Sequence, residues 1–336
     1  MKETWGFVID ITYKCFHRCR HCCVKSSPDG PSMPWERIKN LLEQINARGK
    51  PYGLELTGGD IFRYADQGKC LGDILGELIS LPRGPGAEIY CHGLKLCFAP
   101  FGPKDYDNSL PTEILDFLAP LIDYGFCQLT TSHTLYSEDN VDKRLPYTLS
   151  QVFKFANKIT IVVTVDKNND LETGRRLRQA LKRAGFLPDQ DFRSLARVGM
   201  LGPDLHFLND DKKIIEIAVN PTLSAGRAKT WSYLYKWSGK DECPRKKPEQ
   251  KETPREKDAP ARMAYITLKG NVLPCYSTFP ELSPLGNVWQ EPLEKIMSRW
   301  EDYKEQLEKH FQLNYSPAVG LDLCTWCART FQFKPS

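Results

Sequence analysis

Cys15, Cys19 and Cys22 stand in the run Cys-Phe-His-Arg-Cys-Arg-His-Cys, directly after an apolar stretch from Trp5 to Thr12. Thiolates are ligands for soft metals and for iron–sulfur clusters, and the spacing C-x3-C-x2-C places three of them on one tight loop. A cubane cluster has four iron corners and is normally held by four cysteines. Three ligands leave one iron open to chelate a group from outside the protein. Zinc is the other chemistry open to such a loop, and Cys23 beside Cys22 offers a further thiolate. Adjacent side chains diverge, however, and seldom reach one ion together.

A second group of cysteines lies near the other end of the sequence. Cys243 stands alone, Cys275 closes a hairpin-like run from Ala264, and Cys324-Thr-Trp-Cys327 follows a helical stretch. Single, single, pair is a ligand set for one more cluster, or for a zinc ribbon, in which Cys-x2-Cys is typical. Cys70, Cys91, Cys97 and Cys127 are scattered between the groups and read as small apolar core residues.

These residues must be carried by a scaffold. Strand-like runs are predicted at Trp5–Tyr13, Tyr52–Thr57, Glu88–Leu96, Phe126–Thr131, Ile159–Val165 and Ile214–Val219. Helical spacing occupies Pro34–Arg48, Leu71–Leu81, Pro111–Tyr124, Leu149–Ala156 and Leu171–Ala184. Strands alternating with helices call for a parallel sheet with right-handed crossovers. Six such units of Val- and Ile-rich strands suit an open, partial barrel. In such sheets, sites lie at the carboxyl ends of the strands. The cysteine loop leaves the first strand at that end, and Gly58-Gly59-Asp60 leaves the second. The Lys-, Glu- and Pro-rich stretch 236–262 reads as a solvated connector. Lys269-Gly270-Asn271 marks a hairpin turn, and a helix is predicted from Pro292 to Phe311.

With its cysteine loop followed, one helix later, by a strand ending in Gly-Gly-Asp, the sequence resembles the radical SAM superfamily. The resemblance implies an α/β fold, a TIM-like partial (β/α)6 barrel over residues 1–235. It also implies a [4Fe-4S] cluster on Cys15, Cys19 and Cys22. The open iron of that cluster binds S-adenosylmethionine, whose reductive cleavage yields a 5′-deoxyadenosyl radical that abstracts hydrogen from a substrate. Gly58, Gly59 and Asp60 match the family's Gly-Gly-Glu, which holds the amino group of the cofactor's methionine; Asp60 is one methylene shorter. His21 takes the place of the residue set against the adenine. Cys91-His92-Gly93 and Ser132 fall where the family contacts methionine or ribose. Residues 263–336 resemble the SPASM/twitch extension in its shorter form, a hairpin-plus-helix unit whose auxiliary [4Fe-4S] cluster would take Cys243, Cys275, Cys324 and Cys327.

Members with this extension often modify ribosomally made peptides, and others oxidise or rearrange small molecules. Peptide modification is the reading preferred here, a small-molecule dehydrogenase or rearrangement enzyme the alternative. A non-catalytic, zinc-stabilised binding protein is the alternative of another class. The resemblance also implies a flavodoxin- or ferredoxin-like electron donor. The first strand starts about five residues into the chain, so a leader-binding partner is expected to be a separate protein. The 336 residues carry a net charge of +4, too small to imply nucleic acid. No signal peptide and no apolar run of membrane-spanning length is present, and with 12 cysteines the expectation is a reducing, cytoplasmic location.

Overall fold

A computed structural model describes residues 5–17, 19, 22, 24–50, 52–81, 91–102, 105, 118, 127–133, 141–165, 170–186, 205–208, 212–221, 262–274, 283–314 and 333. His21, Cys23, most of the helix expected at 111–124, the connector, and Cys243, Cys275, Cys324 and Cys327 lie outside these residues.

Ten strands form one sheet in the order β10-β9-β8-β1-β2-β3-β4-β5-β7-β6. They are β1 Trp5–Thr12, β2 Tyr52–Gly58, β3 Cys91–Phe98, β4 Cys127–His133, β5 Lys158–Val165, β6 Leu205–Leu208, β7 Ile214–Pro221, β8 Arg262–Ile266, β9 Asn271–Leu273 and β10 Gly286–Asn287. β1, β2, β3, β4, β5 and β7 are parallel neighbours and supply the six strands of the expected barrel. The barrel is open: β6 pairs antiparallel with β7 at one edge. At the other edge β8 adds in parallel to β1, and the hairpin β8–β9 and short β10 continue the same sheet.

The helices are α1 Trp35–Ala47, α2 Leu71–Ser80, α3 Val141–Val152, α4 Asp170–Arg183, α5 Leu293–Ser298 and α6 Trp300–Asn314. In α1 the buried residues Ile38, Leu41, Leu42 and Ile45 recur at helical spacing. They pack on Trp5, Phe7, Ile9, Leu54 and Leu56 of the adjoining strands. A capping box, in which Asp73 accepts from the Cys70 backbone at 2.9 Å, starts α2. No helix among the described residues is long and apolar enough to cross a membrane.

Four expectations shift. Pro146 lies inside α3, so the helix begins earlier than the expected Leu149. A proline removes one helical hydrogen bond, and α3 is held by tertiary bonds instead: the Thr148 hydroxyl donates to the Phe101 carbonyl at 3.0 Å and accepts from its N–H at 2.8 Å. The expected helix 292–311 is two, α5 and α6, parted at Arg299, whose guanidinium grips Glu291 at 2.6 and 2.7 Å. The short β6 has no forerunner in the sequence reading. Cys91-His92-Gly93 begins β3 rather than following it, which puts this tripeptide at the end of the sheet away from the cysteine loop.

Candidate functional site

β1 delivers the cysteine loop, and backbone bonds close the loop's base. Tyr13 donates to Pro31 at 2.7 Å, Cys15 to Ser27 at 2.9 Å, Ser27 back to Tyr13 at 3.0 Å, and Met33 to Ile11 at 2.8 Å. Gly30 lies so close that an added Cβ would enter the Tyr13 carbonyl. Cys15 is buried, while Cys19 and Cys22 are half-buried. The N–H of His17 points to the Cys15 sulfur at 3.4 Å, and that of Ser26 to the Cys22 sulfur at 3.2 Å. Such donors stabilise thiolate charge. Burial pushes the Cys15 thiol far up, and Asp60, Cys19 and Cys22 add to the shift. Asp60, Cys19 and Cys22 stand near enough to Cys15 for their charge to raise its thiol, and thiols are the donor chemistry of an iron–sulfur cluster; no three such side chains among the described residues are already arranged as a metal site. His17 bonds through Nε2 to the Pro100 carbonyl at 2.7 Å and ties the loop to the exit of β3.

The glycine turn continues the parallel pairing of β1 with β2. Gly59 donates to the Thr12 carbonyl at 2.6 Å and Asp60 to the Lys14 carbonyl at 2.7 Å. Gly58 has φ +121°, and a Cβ there would meet the Thr12 carbonyl; one on Gly59 would meet that of Lys14. Side chains are absent here because the turn lies against the cysteine loop, backbone on backbone. Asp60 is fully buried and caps the short 3-10 turn Ile61–Arg63 by accepting from Phe62 at 3.4 Å. Sequence-predicted Cys15 and Asp60 are thus brought together, with Gly58 and Gly59 between them and β1. Ser132, half-buried, stands at the carboxyl end of β4 opposite Val162.

The inner face of the sheet, turned away from the helices, holds what the sequence reading missed. Asp10 is fully buried there and accepts from Tyr265 of β8 at 2.6 Å and from Tyr13 of the cysteine loop at 2.9 Å. Burial lifts its carboxyl to about 7, against the pull of both hydrogen bonds. Stability carried by the neutral carboxyl is complete below the unfolded value of 3.8 and is lost as pH rises to about 7. The loss is on the order of 4 kcal/mol. Asp10→Asn, which keeps an acceptor for one tyrosine, should therefore melt with a flatter pH dependence between pH 5 and 8. Thermal melts of both proteins across that range check this; parallel curves would rule it out.

Cys97, read from sequence as core, belongs to the inner face. Its thiol donates to Glu55 at 3.1 Å, and Lys95 pairs with the other Glu55 oxygen at 3.1 Å. Burial, then Glu55, holds that thiol well above its ordinary range. The alternations Gly53-x-Glu55-x-Thr57 and Gly93-x-Lys95-x-Cys97 carried the signal for this polar face. Cys91 and Cys127 are buried in the apolar core as expected.

The iron–sulfur cluster-binding domain family SPASM matches residues 258–328. Among solved structures, anSMEcpe with bound AdoMet and Cp18Cys peptide matches at 10% identity and a TM-score of 0.54, over 97% of this chain and 87% of that one. BtrN in complex with AdoMet and 2-DOIA matches at 13% identity and a TM-score of 0.41, over 91% and 88%. Streptococcus suis SuiB bound to S-adenosylmethionine matches at 11% identity and a TM-score of 0.40, over 87% of this chain; the chain spans 65% of SuiB's length. No curated protein matches the chain. The fold is shared with anSMEcpe over 97% of this chain and 87% of that one. In this chain the cysteine loop and glycine turn stand at the carboxyl edge of the sheet, and the SPASM match begins just before β8. The chain therefore has the fold of anSMEcpe, and its residues 258–328 match the SPASM iron–sulfur cluster-binding domain.

Proposed function

We propose that the chain is a radical SAM enzyme that abstracts hydrogen from a peptide during its post-translational modification. The observation that carries this reading is the direct backbone pairing of the cysteine loop with the Gly58-Gly59-Asp60 turn. It brings the loop that carries Cys15, Cys19 and Cys22 against the turn that carries the buried Asp60, at the carboxyl end of β1 and β2. A [4Fe-4S] cluster on Cys15, Cys19 and Cys22 supplies one-electron reductive cleavage of S-adenosylmethionine, giving the hydrogen-abstracting radical. The chain's own part is to hold and orient. The side-chain-free turn lets backbone approach the cofactor's methionine, and Asp60 offers charge to its ammonium. His21 and Ser132 are assigned to the adenine and ribose. Cys243, Cys275, Cys324 and Cys327 are assigned to the auxiliary cluster.

The peptide substrate finds support in anSMEcpe, which shares the fold and is seen with a peptide beside AdoMet. An electron donor of flavodoxin or ferredoxin type and a separate leader-binding protein complete the proposal. The test is anaerobic reconstitution, iron and sulfide analysis, and 5′-deoxyadenosine formation under dithionite. Zinc in place of iron, with no cleavage, would favour a binding protein. Asp60→Asn keeps the acceptor for Phe62 but loses the charge. It should weaken S-adenosylmethionine binding about tenfold or more at unchanged iron content. Equal affinity in equilibrium dialysis would remove Asp60 from the site.

A further inference from the structure

The inner face is not packed like the interior of a structural barrel, where layers of branched apolar side chains fill the space. Strand pairing places Glu55 of β2 beside Lys95 of β3, and Lys95 beside Gln128 of β4. Thr130 pairs with Thr160, so the same row continues to Lys158 at the start of β5. Gln128 is exposed although β4 lies between β3 and β5 in the middle of the sheet. Gly53 and Gly93 share this face, and a Cβ built on either meets nothing within 4 Å among the described residues. Among the described residues the floor of the barrel is therefore open here.

Two ion pairs flank that opening, and both present the cation. Lys95 is 33% exposed while its partner Glu55 is 10% exposed, at 3.1 Å. Lys158 is 50% exposed while Glu216 is 12% exposed, at 2.6 Å. The carboxylates are tied from behind, Glu55 by the Cys97 thiol at 3.1 Å and Glu216 by the Thr160 hydroxyl at 3.3 Å. Ion pairs with an exposed cation contribute little to stability. Here they hold two ammonium groups across β4, on strands about 10 Å apart, with the Gln128 amide between them.

We infer that Lys95, Gln128 and Lys158 form a carboxylate-binding subsite on the inner face of the barrel. Its place in catalysis rests on the proposed function. The row lies four strand residues below the level of Gly59 and Ser132, roughly 13 Å at the rise of a β-strand. A substrate reacting at the mouth reaches this row only if it is extended. The matching class is a peptide whose acidic side chain or terminal carboxylate stands about four residues from the residue modified.

The test uses the reconstituted holoenzyme and the probe Ac-Gly-Gly-Gly-Glu-NH2, with its Gln and Lys counterparts, followed by saturation-transfer NMR titration. The glutamyl peptide should bind at least tenfold more tightly than either counterpart. That preference should vanish in Lys95→Met and in Lys158→Met. Because Lys95→Met leaves Glu55 without its cation, the double variant Glu55→Gln/Lys95→Met serves as the folding-neutral partner and should lose the preference equally. Equal binding of the three peptides, tighter binding of the lysyl peptide, or a preference that survives in the folded double variant would overturn the subsite. 5′-Deoxyadenosine formation by the same wild-type sample is scored separately. A sample that prefers the glutamyl peptide but does not cleave S-adenosylmethionine keeps the subsite and refutes only the enzyme reading.

Discussion

A protein in which Cys15, Cys19 and Cys22 are all replaced by Ala should hold one cluster rather than two and form no 5′-deoxyadenosine. The loop offers sulfur at these positions on a backbone fixed by the bonds of Tyr13, Cys15 and Met33. Those bonds do not depend on the side chains removed, so the barrel should survive the change. What is lost is the anchoring of the cluster, and with it the open iron. Iron and sulfide analysis should fall to about half, and dithionite should drive no cleavage above background. Circular dichroism of the variant must match the parent protein, because removing a bound metal can also remove stability. A folded triple variant that still forms 5′-deoxyadenosine would move the reacting cluster elsewhere in the chain.

Gly58→Ala is expected to be nearly as damaging with no ligand touched. The residue combines φ +121° with a carbonyl, that of Thr12, where the new methyl would lie. Strain of that kind costs about 1–3 kcal/mol, and the collision with backbone adds to it. Relief requires the turn to lift from the cysteine loop, breaking the bonds of Gly59 to Thr12 and of Asp60 to Lys14. The variant should melt several degrees lower, at about 2–4 °C per kcal/mol. It should also bind S-adenosylmethionine poorly after full reconstitution. Unchanged melting together with unchanged affinity would show that the turn and loop are independent.

The parts of this architecture legible in the sequence are those written in short-range pattern. Ile38, Leu41, Leu42 and Ile45 announce α1, and the passage from Tyr52–Gly58 into Gly59-Asp60 announces a strand that stops at a glycine turn. Features set by distant partners were hidden. Asp10 looks like a misplaced charge in an apolar strand until Tyr265 is brought to it from 255 residues away. Cys97 reads as a small apolar residue until Glu55, on the neighbouring strand, supplies its acceptor. Pro146 delayed the predicted start of α3 because propensity weighs the missing N–H and not the grip of Thr148 on Phe101. The pairing of β8 with β1 leaves no local trace, since either edge of an open barrel could have taken the hairpin.

That pairing has a consequence for how the molecule is made. β1 leaves the ribosome before every other strand of the sheet, and β8 emerges only after the rest of the barrel. Until then one edge of β1 carries unpaired N–H and C=O groups along a wholly buried, apolar strand, a template for pairing with another nascent chain. Contacts so remote in sequence also slow folding. The barrel is therefore most vulnerable to aggregation between synthesis of β7 and synthesis of β8. Expression at lower temperature, slower initiation or a holdase acting on the nascent chain should raise its soluble yield more than any change to the finished protein's surface.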